Sequence, residues 1–192
     1  MLKRLSKKLL YVKKMRDRAK ILFLSILALL LVLSLVKGYS HELSCQVTTS
    51  CSATTVFKLS SLTNTHGEIP SSDNYAYSAC CQTSKYSLGT ICGTEGTILL
   101  KLSDTTNAHV ERNDSTNYNI NACLSFPQGN ISCGYTTQDC NAAGYHTCVA
   151  TISADTNAHV SDCLTNPFPT KVCCKSICKG SIGGTVRNQD NQ

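Results

Sequence analysis

Thr63-Asn64-Thr65-His66, Thr106-Asn107-Ala108-His109 and Thr156-Asn157-Ala158-His159 are three copies of one motif, and a cysteine stands 14 residues after each histidine: Cys80, Cys123 and Cys173. Self-similarity at a fixed spacing marks a repeat protein, in which each unit buries its apolar face against its neighbours. The residues around the motif repeat as well. Counting back nine, seven and five positions from each asparagine gives Thr55, Phe57, Leu59, then Ile98, Leu100, Leu102, then Cys148, Ala150, Ile152, and a serine follows each set (Ser60, Ser103, Ser153). Alternate positions before the closing cysteine hold Tyr75, Tyr77, Ala79, then Tyr118, Ile120, Ala122, then Phe168, Thr170, Val172. Period-two runs of aromatic and β-branched residues spell half-buried strands. Each copy opens on a cysteine in a similar setting, Cys45, Cys92 and Cys133. The expected unit is a short opening strand, a central strand, a polar loop carrying the motif and a closing strand. The fold class is all-β: tandem small, sandwich-like, disulfide-stapled modules over residues 43–81, 90–124 and 131–178.

The N-terminus is of another kind. Nine of the 18 basic residues lie within positions 1–20, a basic arm, and Ile21 to Val36 is apolar except for Ser25 and Ser34. That pattern is a membrane-insertion helix, a signal-peptide core or a short anchor, with the N-terminus inside and residues 39 onward exported. An uncleaved helix would make the membrane a partner. The leader also accounts for the net charge of +6. Without it the chain is mildly acidic, so no basic patch for nucleic acid remains. The Gly-rich end, residues 179–192, reads as a disordered tail.

All 13 cysteines follow the apolar run. Leu, Ile, Val and Phe make up only 27 of the 154 residues from position 39, below the rough 20% at which a packed core becomes doubtful. An exported chain so poor in core residues is expected to fold as a disulfide scaffold. Twelve cysteines are assigned to bridges: Cys45, Cys51, Cys80, Cys81, Cys92, Cys123, Cys133, Cys140, Cys148, Cys163, Cys173 and Cys174. The odd one, placed beyond the last strand, is Cys178, a free thiol or a bridge to another molecule. Adjacent cysteines on a strand point to opposite faces. Cys80 and Cys173 are therefore expected in the interior bridge, Cys80 for example with Cys45, while Cys81 and Cys174 reach outward. In the second copy Cys92 pairs with Cys123.

No nucleophile elbow, zinc-protease helix, phosphate loop or dinucleotide fingerprint occurs. No catalytic residue and no cofactor are therefore assigned. His66, His109 and His159 are the candidates for a metal, yet the copies lie 43 and 50 residues apart with no second ligand at fixed spacing. The sequence favours a structural reading instead: Asn64, Asn107 and Asn157 cap turns, and each histidine ties its own loop to the strand beneath. His41 and His146 read as ordinary surface residues. Asn113 and Asn130 match the N-glycosylation acceptor and fall in expected loops.

The Thr-Asn-Ala-His-Val of copies two and three, with a closing aromatic strand ending in Cys-Cys, resembles repeats of uncharacterised cysteine-rich exported or cell-surface proteins of archaea. The likeness spans about residues 43–178 and implies location and architecture, with no established activity. The function expected is that of a non-enzymatic cell-surface or secreted protein for adhesion, cell contact or extracellular assembly, with a protein or glycan partner or with itself. The alternatives are a secreted metal-dependent enzyme using the repeat histidines and an extracellular filament subunit.

Overall fold

A computed structural model of the protein describes Lys20 and residues 42–94, 96–165 and 167–178. The expected membrane helix, His41 and the tail from 179 lie outside the described residues. Among those described, no helix is long and apolar enough to cross a membrane. The described chain is almost entirely β, in three small antiparallel sheets.

Repeat one is Leu43–Thr48 (β1), Thr54–Leu59 (β2), Gly67–Glu68 (β3) and Tyr77–Thr83 (β4), arranged β1-β4-β2-β3. Repeat two supplies Gly96–Leu102 (β5), Val110–Arg112 (β6) and Ile120–Ser125 (β7), arranged β6-β5-β7. Repeat three supplies Gly129–Thr136 (β8), Thr147–Ile152 (β9), Val160–Ser161 (β10) and Thr170–Cys178 (β11), arranged β10-β9-β11-β8. Repeats one and three share one order, opening, closing, central and a short strand after the histidine, and repeat two keeps the last three. That last strand was expected to be loop. The opening strand expected around Cys92 is reduced to one bridge between Gly89 and Ser125.

The central strands carry a feature that alternation does not anticipate. Pairing shifts by one residue between Thr55 and Phe57 and between Ile98 and Leu100, and opposite Val172/Cys173 it skips Val149. Val56, Leu99 and Val149, eight residues before each asparagine, are thus the extra residues of three equivalent β-bulges. A bulge lets two consecutive side chains turn to one face. Val56 with Phe57, Leu99 with Leu100 and Val149 with Ala150 are all at most 1% exposed. The position before the bulge pair turns away, so Thr55, Ile98 and Cys148 are only half-buried. In this way a sequence short of large apolar residues places three residues per central strand, two of them consecutive, in a core shared by all three repeats.

Regular alternation on the closing strands sets the disulfides. Cys81 and Cys174 lie in that core, and Leu124 occupies the equivalent place in repeat two. They face the opening strands, where Cys45 and Cys133 are their register partners at Cα distances of 4.1 Å. The inward and outward assignments read from the sequence are thereby reversed. Cys80, Cys123 and Cys173 instead reach the segment before the central strand, through Cys51–Cys80, Cys92–Cys123 and Cys140–Cys173. Cys92 is accordingly the counterpart of Cys51 and Cys140, not of Cys45. Cys148–Cys163 is an addition of repeat three, and Cys178, the last residue of β11 rather than a residue beyond it, is a free thiol.

Neighbouring repeats interlock through a threonine ten residues before each asparagine. Thr54 Oγ1 donates to Leu88 C=O at 3.0 Å, Thr97 Oγ1 to Ile131 C=O at 2.5 Å and Thr147 Oγ1 to Cys45 C=O at 3.4 Å. Each bond runs from one repeat's central strand to the opening segment of another. The links go from one to two, two to three and three to one, so the modules close into a ring instead of following one another in a row. His146 belongs to this joinery: its Nδ1 lies 3.5 Å from Leu43 N and 3.4 Å from Ser176 N, and each N–H donates to it. It is half-buried, not the surface residue the sequence suggested.

Candidate functional site

The three motif loops meet where the ring closes. Thr65 and Val160, Gly67 and Ala108, and Val110 and Ala158 each exchange two backbone hydrogen bonds of 2.8–2.9 Å. Each histidine is therefore flanked by a bridge to a different neighbour: the residue before it pairs with one repeat and the residue after it with the other. Extended backbone alternates its side chains. The flanking residues point inward and are buried, whereas His66, His109 and His159 face the other way and are half-exposed. Ala108 and Ala158, both 0% exposed, are small enough for the backbones to approach closely.

Within each loop the repeated serine fastens the histidine's backbone. Ser60, Ser103 and Ser153 donate their N–H to the carbonyls of His66, His109 and His159. Ser103 and Ser153 Oγ accept the N–H of His109 and His159 at 3.0 and 2.9 Å, while Ser60 Oγ is hydrogen-bonded to Thr65 Oγ1. The preceding asparagines have φ of 44–49°, a left-handed conformation that asparagine tolerates better than most residues. That turn carries the asparagine side chain to the adjacent repeat, so it does not cap its own loop.

The imidazoles go to the neighbours too. His66 Nδ1 lies 2.6 Å from Asn107 Oδ1, His109 Nδ1 2.5 Å from Asn157 Oδ1 and His159 Nδ1 2.6 Å from Asn64 Oδ1. The amide oxygen only accepts, so each Nδ1 carries the proton and each Nε2 keeps a free lone pair. Tyr75 and Tyr118 hydroxyls also donate to Asn107 and Asn157 Oδ1, both at 3.3 Å. Phe168 holds the corresponding place in repeat three, so the third seam lacks that hydroxyl.

The three rings cluster with centroids 4.6, 4.9 and 5.0 Å apart, His66 and His109 tilted to each other and His159 edge-on to both, and one nitrogen from each lies within 4.8 Å of the other two. Burial, then the proximity of His66 and His109, holds the pKa of His159 below the ordinary histidine value. Among the described residues this is the only group of three or more metal-ligating side chains so arranged. The separation in sequence, which argued against a shared site, is what ring closure removes.

A second repeated device was missed in the sequence. Glu68 and Glu111, two residues after their histidines, are fully buried. Glu68 accepts from Tyr75 N at 2.8 Å and Asn74 Nδ2 at 3.1 Å; Glu111 accepts from Tyr118 N at 2.8 Å and Asn117 Nδ2 at 2.9 Å. These carboxylates hold the chain that carries the two tyrosines. The signal was present as a glutamate followed by Asn-Tyr at the same distance in both copies. Asn113 lies in a turn where its N–H donates to Tyr135 Oη at 2.8 Å, and Asn130 is exposed within β8 rather than in a loop.

The fold and site thus define a disulfide-stapled β-repeat domain closed by a ring of histidines and asparagines. No family model matches the chain, and no curated protein or solved structure is similar to it.

Proposed function

We propose that the protein is exported and non-enzymatic, and that it acts at the cell surface or after secretion through the surface of this ring, in adhesion, cell contact or extracellular assembly. The observation that carries the reading is the distribution of the bridges. All six close within single repeats, two in the first, one in the second and three in the third. Bridges of this density belong to oxidising compartments. They hold each unit's shape independently, while backbone pairing and side-chain bonds set the units' arrangement. That division suits a rigid scaffold whose exposed loops meet a partner. The basic arm and apolar run at the N-terminus supply a route of export.

Two measurements test it on the full chain. Purified without reductant and denatured, it should react with one equivalent of maleimide, at Cys178; several reactive thiols would remove the scaffold. On intact expressing cells, a membrane-impermeant amine reagent should label the lysines that follow the apolar run, such as Lys85 and Lys175, as fully as in lysed cells. Labelling only after lysis would end the surface or secreted assignment.

A further inference from the structure

We propose that His66, His109 and His159 form a binding site for one divalent transition-metal ion, with Asn64, Asn107 and Asn157 as the outer partners that orient the ligands. The proposal stands on geometry and is independent of the adhesive role.

Three features converge. Each ring's Nδ1–H is committed to an asparagine oxygen, which leaves Nε2 as the one lone pair each histidine offers. This is the arrangement found around metal-bound histidines, where a hydrogen bond at one nitrogen fixes the tautomer and orients the other. Second, one ring nitrogen of each histidine, Nδ1 or Nε2, already lies within 4.8 Å of those of the other two. A tetrahedral ion with bonds of about 2.0–2.1 Å needs them roughly 3.3 Å apart. Modest rotation of rings borne on a backbone pinned on both sides would close that gap. Third, the histidines are half-exposed whereas their neighbours in the chain are buried, so an ion can enter from solvent and a water can complete its coordination.

The donor set selects the ion. Three neutral imidazoles suit zinc, cobalt, nickel or copper; calcium and magnesium require oxygen ligands. A clasp alone would not need the rings gathered together. The histidine–asparagine bonds would join the repeats equally well with the rings splayed, yet the three centroids lie within 5.0 Å of each other.

The test uses the oxidised full chain, stripped with chelator and titrated with Co²⁺ near neutral pH. The expected result is one Co²⁺ per chain, with visible d–d bands of low-coordinate intensity and no thiolate charge-transfer band, displaced stoichiometrically by Zn²⁺. His109→Ala should lose saturable binding in the same concentration range, whereas His146→Ala and Cys178→Ser should retain it. Asn157→Ala should weaken binding by roughly 10–100-fold, and Asn157→Asp, which keeps an acceptor for Nδ1–H, should restore it. Copper bound to the unaltered chain reads the site without any variant, since its electron paramagnetic resonance spectrum should show coupling to imidazole nitrogens. Absence of saturable binding, binding that survives His109→Ala or vanishes in Cys178→Ser, or a copper spectrum with oxygen ligands alone would each overturn the proposal.

Discussion

Repeats two and three solve the same problems with different chemistry. In repeat two, Lys101 and Glu111 are register partners on β5 and β6, and the carboxylate clamps Asn117 and Tyr118 while the lysine Nζ donates to Ser115 C=O. At the same register repeat three has Thr151 opposite Ser161, and Thr151 Oγ1 accepts Phe168 N at 2.9 Å. Both the lysine and the glutamate of repeat two thus have hydroxyl residues as counterparts in repeat three. The staples differ as well: repeat two has one bridge and repeat three has three. The bulge, the interlocking threonine, the inter-repeat backbone pairs and the histidine–asparagine bond are the same in both. Ring closure therefore tolerates changes in how each loop is held but requires one geometry where repeats touch.

The largest effect expected on this contrast comes from the bridges. Replacing both Cys92 and Cys123 by alanine removes the only staple of repeat two, closing 31 positions of chain, and should cost roughly 3 to 4 kcal/mol in the chain-entropy model. The same change at Cys148 and Cys163, separated by 15, should cost about 3 kcal/mol or less, because two other bridges still hold repeat three. Urea unfolding midpoints measure both; equal losses would mean that the staples do not act repeat by repeat.

Next in size is the buried clamp. Glu111→Ala leaves the Tyr118 N–H and the Asn117 amide without their acceptor and should destabilise by about 1–3 kcal/mol. Combining Lys101→Thr with Glu111→Ser imports the hydroxyl pair of repeat three. The double variant should lose less than the sum of its single changes, since the residues are cross-strand neighbours. Strict additivity would show that the two solutions are not interchangeable.

A similar or smaller change is expected at Tyr135, where repeat three reaches repeat two. Its hydroxyl donates to Leu99 C=O at 2.5 Å and accepts from Asn113 N. Burial, the main cause, pushes its pKa up from 10.0 to about 12. The unfolded chain would release this proton near 10 and the folded chain near 12, so between those values the unfolded chain binds fewer protons and stability falls as pH rises. Below about pH 10 this contribution is fully present. Ultraviolet titration of phenolate should find one tyrosine ionising late, and Tyr135→Phe should abolish that step while costing roughly 1–2 kcal/mol.

The smallest effect is a gain. Phe168→Tyr would supply the third seam with the hydroxyl that Tyr75 and Tyr118 give the other two, and should stabilise by about 0.5–1 kcal/mol. A loss in thermal unfolding would show that repeat three does not present this position as the others do.

Much of the fold was legible because strands announce themselves locally. Phe57, Leu59, Leu100 and Leu102 alternate as core residues and are buried as such, and the odd cysteine count required a leftover thiol. The bulge was not legible, because Val56, Leu99 and Val149 look like outward residues in a period-two reading. On the closing strands period two itself puts Cys81 on the face of Ala79 and Cys174 on the face of Val172, which is why these cysteines, and not Cys80 and Cys173, meet the opening strands from the core side. The candidate site was visible residue by residue in His66, His109 and His159 but not as a site.

The sequence by itself determined a three-copy β chain with oxidised staples, since periodicity, repetition and composition are properties of neighbouring residues. Only the tertiary structure decided which cysteines pair and that the three histidines share one place. The contact that closes the ring joins His159 to Asn64 across 95 positions. It follows from how whole repeats are oriented against one another, through bulges and edge pairing that no single stretch of chain encodes.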